Sequence, residues 1–357
     1  MTSRWDPCIH HRDGEAYAFF SEYFADSSRK VLLICGAGFD PRSAEVARKL
    51  VDAKVRLRGF FIREDRPRPD AVLVGKADGN ENLLKALIPE CRVERIAIFS
   101  SDDQAVIGGR SIVRAFLDLD LKGVTDIVLD MSALSLGVSF PLAKVLFDRG
   151  STKDAAIFPN VHLVVTTKSS VDESIHCELI DRHQLIPGFA EDANLESLSG
   201  RTKLWLPQLS PNREHALEII HTALLPGETC PIVPFPARNP RAVEELIELY
   251  KTQINEPWRV DDRDFLFAAE DDPLDLYRTI LRVDELRKAT YAAAGGSLTM
   301  LSPVGSKAMA VGALLAALER RLPVVYVETQ RYTLGAEGLP NPEIGLVHLW
   351  LTGDVYP

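Results

Sequence analysis

Between an apolar, strand-forming run at residues 297–301 and an apolar helical run beginning at Lys307 lie Ser302, Pro303, Val304, Gly305 and Ser306. The first backbone N–H groups of a helix lack intrahelical acceptors and carry partial positive charge, so a junction of this kind attracts phosphate. Gly305 would permit close backbone approach, Ser306 adds a hydroxyl donor and Lys307 a full charge. The spacing is not that of a Walker A loop, G-x-x-x-x-G-K-[ST]. A capped helix, with Ser306 as N-cap and Lys307 in solvent, accounts for the same residues. Anion site and cap both stay open at this point.

The first half of the chain offers a parallel set. Gly36, Ala37 and Gly38 follow an apolar run, and paired glycines allow a tight turn beside a ligand. The dinucleotide fingerprint G-x-G-x-x-G fails because Pro41 stands at its third glycine. Asp40 and Pro41 read instead as N-cap and first helical turn, with Arg42 and Ser43 within reach of a phosphate or ribose. Arg213, in the turn at residues 211–213, takes the matching place in the second half; Arg42 and Arg213 together would suit a pseudo-symmetric pocket for a polyanion. Ser132 and Ser135 lie in the loop that matches Ser302–Ser306, with Leu136 where the second half has Lys307. Thr329, Arg331 and Tyr332 follow the last strand of the second half, where a cation and an aromatic ring would meet a phosphate and a base. Thr166, Thr167, Lys168 and Ser169 are their first-half counterparts. Asp130 reads as a loop-capping acid or a catalytic one, and Gly108, Gly109, Arg110 and Ser111 as an anion turn or a plain connection. Cys8, His10, His11 and Asp13 fit no common metal spacing and read as part of an N-terminal tail.

These residues need a scaffold, and the hydrophobic pattern supplies one. Short apolar runs at residues 30–34, 55–63, 93–99, 126–129 and 161–167 alternate with helical spacing, notably at 43–51 and from Ser135 through Phe147. That order predicts a mostly parallel sheet covered on both faces. It then recurs: strands at 202–206, 232–235, 297–301 and 324–328, helices at 212–224, 240–250 and 307–318. A shift of about 171 residues lays Asp126 on Ser297 and Ser135 on Ser306. We therefore expect an α/β protein of two tandem Rossmann-like lobes, residues 1–190 and 201–357, related by internal duplication. A linker is expected at 186–201, and the acidic stretch 256–273 reads as a solvated loop.

Composition narrows the partners. Hydrophobic residues make up 46% and charged residues 26% of the 357, an ordinary globular balance with room for two domains. A formal net charge of −10 argues against a general electrostatic grip on nucleic acid or an anionic membrane. The five cysteines form no C-x-x-C pair, so neither a zinc site nor a disulfide framework is expected, and a reducing cytoplasm fits best. Residues 1–14 have no apolar run of the signal-peptide type, and no stretch is long enough to cross a membrane. No cofactor and no resident metal are expected.

The run SLTMLSPVGSKAMAVGALLAALERRLPVVYVET, residues 297–329, resembles the core motif of the CRISPR-associated Rossmann-fold (CARF) sensor domains. There a strand leads into a small-residue loop ending Thr/Ser-Lys-x-Met, then an apolar helix and a strand rich in Val and Tyr. Ser306, Lys307 and Met309 match that motif, while Val304-Gly305 replaces the family's double glycine. The tandem arrangement is similar to the SAVED domains of bacterial anti-phage systems. The resemblance implies binding of a cyclic oligonucleotide-like signal by a subunit without chemistry of its own, in prokaryotic defence. A separate protein would be the effector, because both lobes account for nearly all the chain. Two alternatives stand beside it. One is an enzyme acting on a nucleotide or phosphorylated metabolite, with Asp40, Asp130 and Glu328 as acids and Lys307 as electrophilic helper. The other is a structural subunit with a vestigial pocket.

Overall fold

The computed structural model describes residues 3–101, 105–152, 158–167, 175–189, 201–334 and 345–356. The chain divides into two compact units, Met1–Glu178 with Gln330–Pro357, and Leu179–Thr329. The first contains β1 (His10–Arg12), α1 (Gly14–Tyr23), β2 (Lys30–Gly36), α2 (Glu45–Asp52), β3 (Arg56–Asp65), α3 (Ala71–Leu87), β4 (Cys91–Ala97), α4 (Gly108–Leu117), β5 (Asp126–Asp130), α5 (Leu136–Gly150) and β6 (Asn160–Thr167). After β7 (Ile175–Leu185) the second unit runs through β8 (Thr202–Pro207), α6 (Glu214–Leu224), β9 (Glu228–Thr229), β10 (Ile232–Pro234), α7 (Ala242–Leu249), α8 (Lys251–Asn255), β11 (Leu266–Ala268), α9 (Pro273–Tyr291), β12 (Ser297–Ser302) and α10 (Lys307–Arg320). The chain closes with β13 (Val325–Leu334) and β14 (Gly345–Thr352).

Unit 1 holds a seven-stranded sheet in the order β1-β14-β6-β5-β2-β3-β4. Strands β2 to β6 are mutually parallel, and numbered among themselves they run 3-2-1-4-5, the Rossmann-like order. The central strand KVLLICG is buried at every position after Lys30, as a strand covered on both faces must be. Val31, Leu33 and Cys35 pack with Phe20 and Phe24 from and beside α1, Val46 and Leu50 of α2, and Leu84 of α3. Leu32 and Ile34, on the opposite face, are buried as well. Each such side chain contributes roughly 1.5–3 kcal/mol relative to exposure.

Unit 2 repeats the order. β12, β8 and β9 form a parallel sheet, and β10 pairs in parallel with β11. Single parallel bridges, Gln208 with Ile232 and Leu301 with Val324, extend the series to β11-β10-β8-β12-β13, again 3-2-1-4-5. Pro231 separates β9 from β10, since proline lacks the N–H that a ladder needs. The expected α/β architecture of two tandem Rossmann-like lobes with mostly parallel sheets is thus the observed one. The two loop serines that a 171-residue shift superposes, Ser135 and Ser306, both occupy helix N-cap positions.

Three expectations are corrected. Residues 345–352 do not end the second lobe; β14 enters the sheet of unit 1, antiparallel to β6 and to β1. The segment carrying Cys8, His10, His11 and Asp13 is no tail, because Trp5 before it is fully buried with its indole N–H on Leu351 O at 3.0 Å, and His10–Arg12 is a strand. The stretch 256–273 carries β11 and leads directly into α9, a 19-residue helix with Asp272 as N-cap and Pro273 in its first turn. Gly108 and Gly109 lie inside α4 itself; a side chain at Gly108 would meet Ile98, so its small size serves packing. Among the described residues, no helix is long and apolar enough to cross a membrane. Most of the expected linker at 186–201 lies outside the described residues.

Helices α9 and α10 touch where Gly312 faces Pro273. A Cβ there would sit 2.4 Å from Pro273 O and 3.0 Å from Leu276 Cβ. Gly312→Ala should therefore cost about 1–3 kcal/mol in urea denaturation through overpacking. Gly75→Ala, in α3 with nothing within 4 Å of its Cβ, should stabilise by about 0.5–1 kcal/mol through helix propensity.

Candidate functional site

In an open α/β sheet, the strand order reverses at one point, and the loops that diverge there leave a crevice at the carboxyl ends of the strands. In unit 1 that point lies between β2 and β5. The loop after β2 is built by Asp40, whose Oδ1 accepts from the Arg42 backbone N–H at 2.9 Å. The Arg42 guanidinium returns to the same carboxylate, Nε to Oδ1 at 3.0 Å and Nη2 to Oδ2 at 2.7 Å. Arg42 is only 2% exposed. Its charge is thus committed to Asp40, and Ser43 donates to Asp40 O at 2.8 Å. Both residues are internal to the cap rather than turned outward to an anion. Asn80 of α3 clamps the turn through Gly38 O and Asp40 O at 2.7 and 2.9 Å. Gly36 is required by packing, because a Cβ there would lie 2.7 Å from Ala133 O, whereas one at Gly38 would meet nothing.

The loop after β5 centres on Asp130. Its Oδ1 accepts from Ser132 N at 2.9 Å and from Ser132 Oγ, and Ser132 Oγ accepts from Thr166 N at 2.8 Å. The capping reading of Asp130 is therefore what Oδ1 does. Its Oδ2 is a different matter. Asp130 Oδ2, Thr166 Oγ1 and Ser135 Oγ are buried polar atoms without a hydrogen-bond partner, gathered at the ends of β5 and β6. Burial pushes the Asp130 carboxyl up to about 7; its bonds from Ser132 pull it down, the nearby Asp40 carboxylate pushes it up and Arg42 pulls it down. Near neutrality the group is poised between acid and carboxylate, the condition in which a side chain can give or take a proton.

Above this loop the N-terminus of α5 is already covered. Ser135 N donates to Glu64 Oε1 at 2.8 Å, so a carboxylate stands where phosphate would be drawn by the helix dipole. Glu64 pairs with Arg66 at 3.0 Å. The Arg66 guanidinium lies 5.0 Å from the Tyr332 ring centroid, and Phe39 meets that ring edge-on at 5.4 Å. Tyr332 thus joins the first unit's edge, with an aromatic pair and a cation beside it. Arg331 is half-buried with an unpartnered Nε. Lys168 and Ser169 lie outside the described residues.

In unit 2 the reversal lies between β8 and β12. Gln208, 1% exposed, occupies the crevice: its Oε1 accepts from Gly305 N at 3.1 Å and its Nε2 donates to Met309 O at 3.2 Å. A Cβ at Gly305 would sit 2.8 Å from that Oε1, which is why the position is glycine. Ser306 Oγ accepts from Met309 N at 3.2 Å and donates to Glu270 O at 2.8 Å. Lys307 opens α10, whose first turn contains no acidic residue. The first turn of α5 contains none either, but its Ser135 N–H is met by Glu64 from β3. Arg213 stands at the N-cap of α6, and Thr329 is buried with its N–H on Glu328 Oε1 at 3.0 Å.

Sequence reasoning missed Gln208, Glu64 and Arg66. Gln208 had a signal in being a polar residue directly after an apolar strand, at the place of Ala37 under the repeat shift. Glu64 and Arg66 had none, since they reach α5 and Tyr332 only through the fold.

Asp130 makes a testable statement about pH. Its folded value near 7 exceeds the unfolded carboxyl value of about 4, so the native state holds a proton that the unfolded state has lost. That stabilising contribution is complete below pH 4 and disappears as pH rises through 7. Relative to wild type, Asp130→Asn should gain stability on the order of a few kcal/mol between pH 5 and 8.5. Urea midpoints of both proteins across that range would check it.

No protein-family model matches the chain, and no curated protein matches it. Among solved structures the chain is similar to the Pseudomonas aeruginosa RhlG/NADP active-site complex, with 12% identity over 83% of this chain and 91% of that chain. The TM-score is 0.22, too low to carry an argument, so the fold assignment rests on the strand orders themselves.

Proposed function

We propose that the protein binds a nucleotide-class, phosphate-bearing small ligand and acts as a sensor subunit rather than as a catalyst. The observation that carries this reading is the start of α10. It stands at the crevice edge of a 3-2-1-4-5 sheet, capped by Ser306, carrying Lys307, and without an acid in its first turn. The finer reading is a cyclic oligonucleotide-like ligand, with a separate effector in prokaryotic defence. It is supported by the resemblance of residues 297–329 to CARF sensors and by two lobes of one strand order in a single chain, as in SAVED proteins.

One observation favours a second reading. Asp130, buried and titrating near 7 beside unpartnered hydroxyls, is what an acid–base catalyst at a strand end would require. Under that reading the protein turns over a nucleotide or phosphorylated metabolite, and product would form.

A thermal-shift screen against cyclic di-, tri- and tetranucleotides, with linear nucleotides and NAD as controls, separates the two. A ligand at 100 times its Kd stabilises the fold by about 2.7 kcal/mol. We expect a shift with a cyclic species and recovery of that ligand intact. Lys307→Ala should weaken binding by about 1–3 kcal/mol, the worth of a charge-assisted contact. Breakdown of the ligand would favour the enzyme, and absence of any shift would sink the sensor reading.

A further inference from the structure

Far from the crevice, at the other end of unit 1's sheet, four ionisable side chains from four strands form one hydrogen-bonded line. His11 Nδ1 is 3.0 Å from His348 Nδ1, His348 Nε2 is 2.9 Å from His162 Nδ1, and His162 Nε2 is 3.3 Å from Asp126 Oδ1. They belong in turn to β1, β14, β6 and β5. His162, His348 and Asp126 have no exposed surface, and His11 is half-buried. Phe19 of α1 stacks on His11 at 4.6 Å and on His348 at 4.3 Å, while Trp350 lies 4.6 Å from His162.

The carboxylate end dictates every proton in the line. Asp126 receives Tyr23 Oη at 2.8 Å, Arg29 Nη1 at 3.0 Å and Thr125 Oγ1 at 2.6 Å, so it is ionised and can only accept. His162 must then carry its proton on Nε2 and present a lone pair at Nδ1. His348 must donate from Nε2 and accept at Nδ1, and His11 must donate from Nδ1. Each ring is neutral. A further proton on His348 would set two N–H groups against one another and leave a buried cation; only His11 Nε2 can take one without breaking a bond in the line.

We propose that this line is an acid-released latch: it fastens the edge strand β1 to β14 while the rings are neutral and releases β1 when acid charges His11 and His348. Besides the line, the strand is held by its own short ladder and by bonds on its flanks, Trp5 Nε1 to Leu351 O at 3.0 Å, Trp350 N to Ile9 O at 2.9 Å and Asp13 N to Leu346 O at 2.7 Å. It is three residues long, pairing His10 with Leu349, His11 with His348 and Arg12 with Val347. Burial lowers the pKa of His11, and burial with the neighbouring imidazoles lowers that of His348 well below its ordinary value. Once β1 opens, His11 leaves the site and the Nδ1 of His348 loses its partner, so burial holds neither ring as low. The closed form therefore binds fewer protons than the open form in acid, and opening is favoured as pH falls. The groups facing the line are His10 of β1, Glu15 and Tyr23 of α1, Arg29, Asp126 of β5, and Asp354, which reaches it through Asn160. Glu15 favours charge on His11; His10 opposes it.

Hydrogen exchange followed residue by residue tests the latch in the intact protein, with each amide corrected for its intrinsic pH dependence. Below pH 6.5 the opening equilibrium of the β1–β14 amides should rise as pH falls, by at most about tenfold per pH unit for each proton taken up on opening, while β2 and β5 stay protected. His348→Phe keeps the stack on Phe19 and removes one titrating ring, so its slope should be shallower than that of wild type. In wild type at pH 7.5, long-range proton–nitrogen spectra should show His162 and His348 protonated on Nε2 and His11 on Nδ1. The proposal is overturned by a different tautomer order, by β1 opening no more than β2 on acidification, or by an unchanged slope in the variant. The two wild-type readouts decide the matter even if the variant does not fold.

Discussion

A carboxylate buried at the start of a central strand organises one whole end of unit 1. Asp126 is fully inaccessible, yet Tyr23, Arg29, Thr125, Asn160 and His162 all direct donors at it. Burial alone would raise its pKa; hydrogen bonds from His162 and Thr125, the His162 ring and the Tyr23 hydroxyl outweigh that and hold it well below the usual carboxylate range. A buried charge is tolerable only when satisfied in this way. The donors come from α1, the turn after it, the residue before β5, and β6, so the positions of these elements and the ionised state of one side chain imply each other. The Arg29 guanidinium, 3.6 Å from the Tyr23 ring centroid, fixes the same corner from outside.

At the opposite end, the two units solve one geometric problem with different chemistry. Both sheets reverse order beside their first strand, and both bring a loop tightly against that strand's end. Unit 1 makes room with Gly36 on the strand and meets a backbone carbonyl of the loop; unit 2 makes room with Gly305 in the loop and meets the Gln208 side chain. The helix behind each loop begins at a serine, but Glu64 neutralises one helix start and Lys307 reinforces the other. Sheets of the same strand order thus carry helix starts met by different side chains. The first is rich in acids and unpartnered hydroxyls; the second keeps a cation at a dipole's positive end.

The central strands of both lobes were legible in the sequence for a physical reason. A central parallel strand is apolar on both faces, so runs such as KVLLI and SLTML stand out and end at Gly or Pro. Asp40-Pro41 and Ser306 were legible as caps because capping is local chemistry. Helix α9 was hidden by the acidic residues that precede it, although Asp272-Pro273 is itself a helix-start signal. Strand β14 could not be assigned to its sheet from local pattern, since its partners β6 and β1 are distant in sequence. The same holds for His11, His162 and His348: their spacing spells nothing, and only strand register makes them neighbours. Arg42 was legible as a cation but not as one already held by Asp40, a contact two residues away that the cap geometry creates.

Because β14 belongs to the sheet that β2 to β6 begin, the coding order and the packing order of unit 1 disagree. During vectorial synthesis, residues 160–167 emerge long before residues 345–352 exist. Until then β6, apolar along most of its length, has an unpaired edge, the kind of surface that pairs with other chains. His348 is also missing in that interval, so His162 has only Asp126 to bond. A ribosome stalled before residue 345 would therefore hold a first lobe with an open, sticky margin.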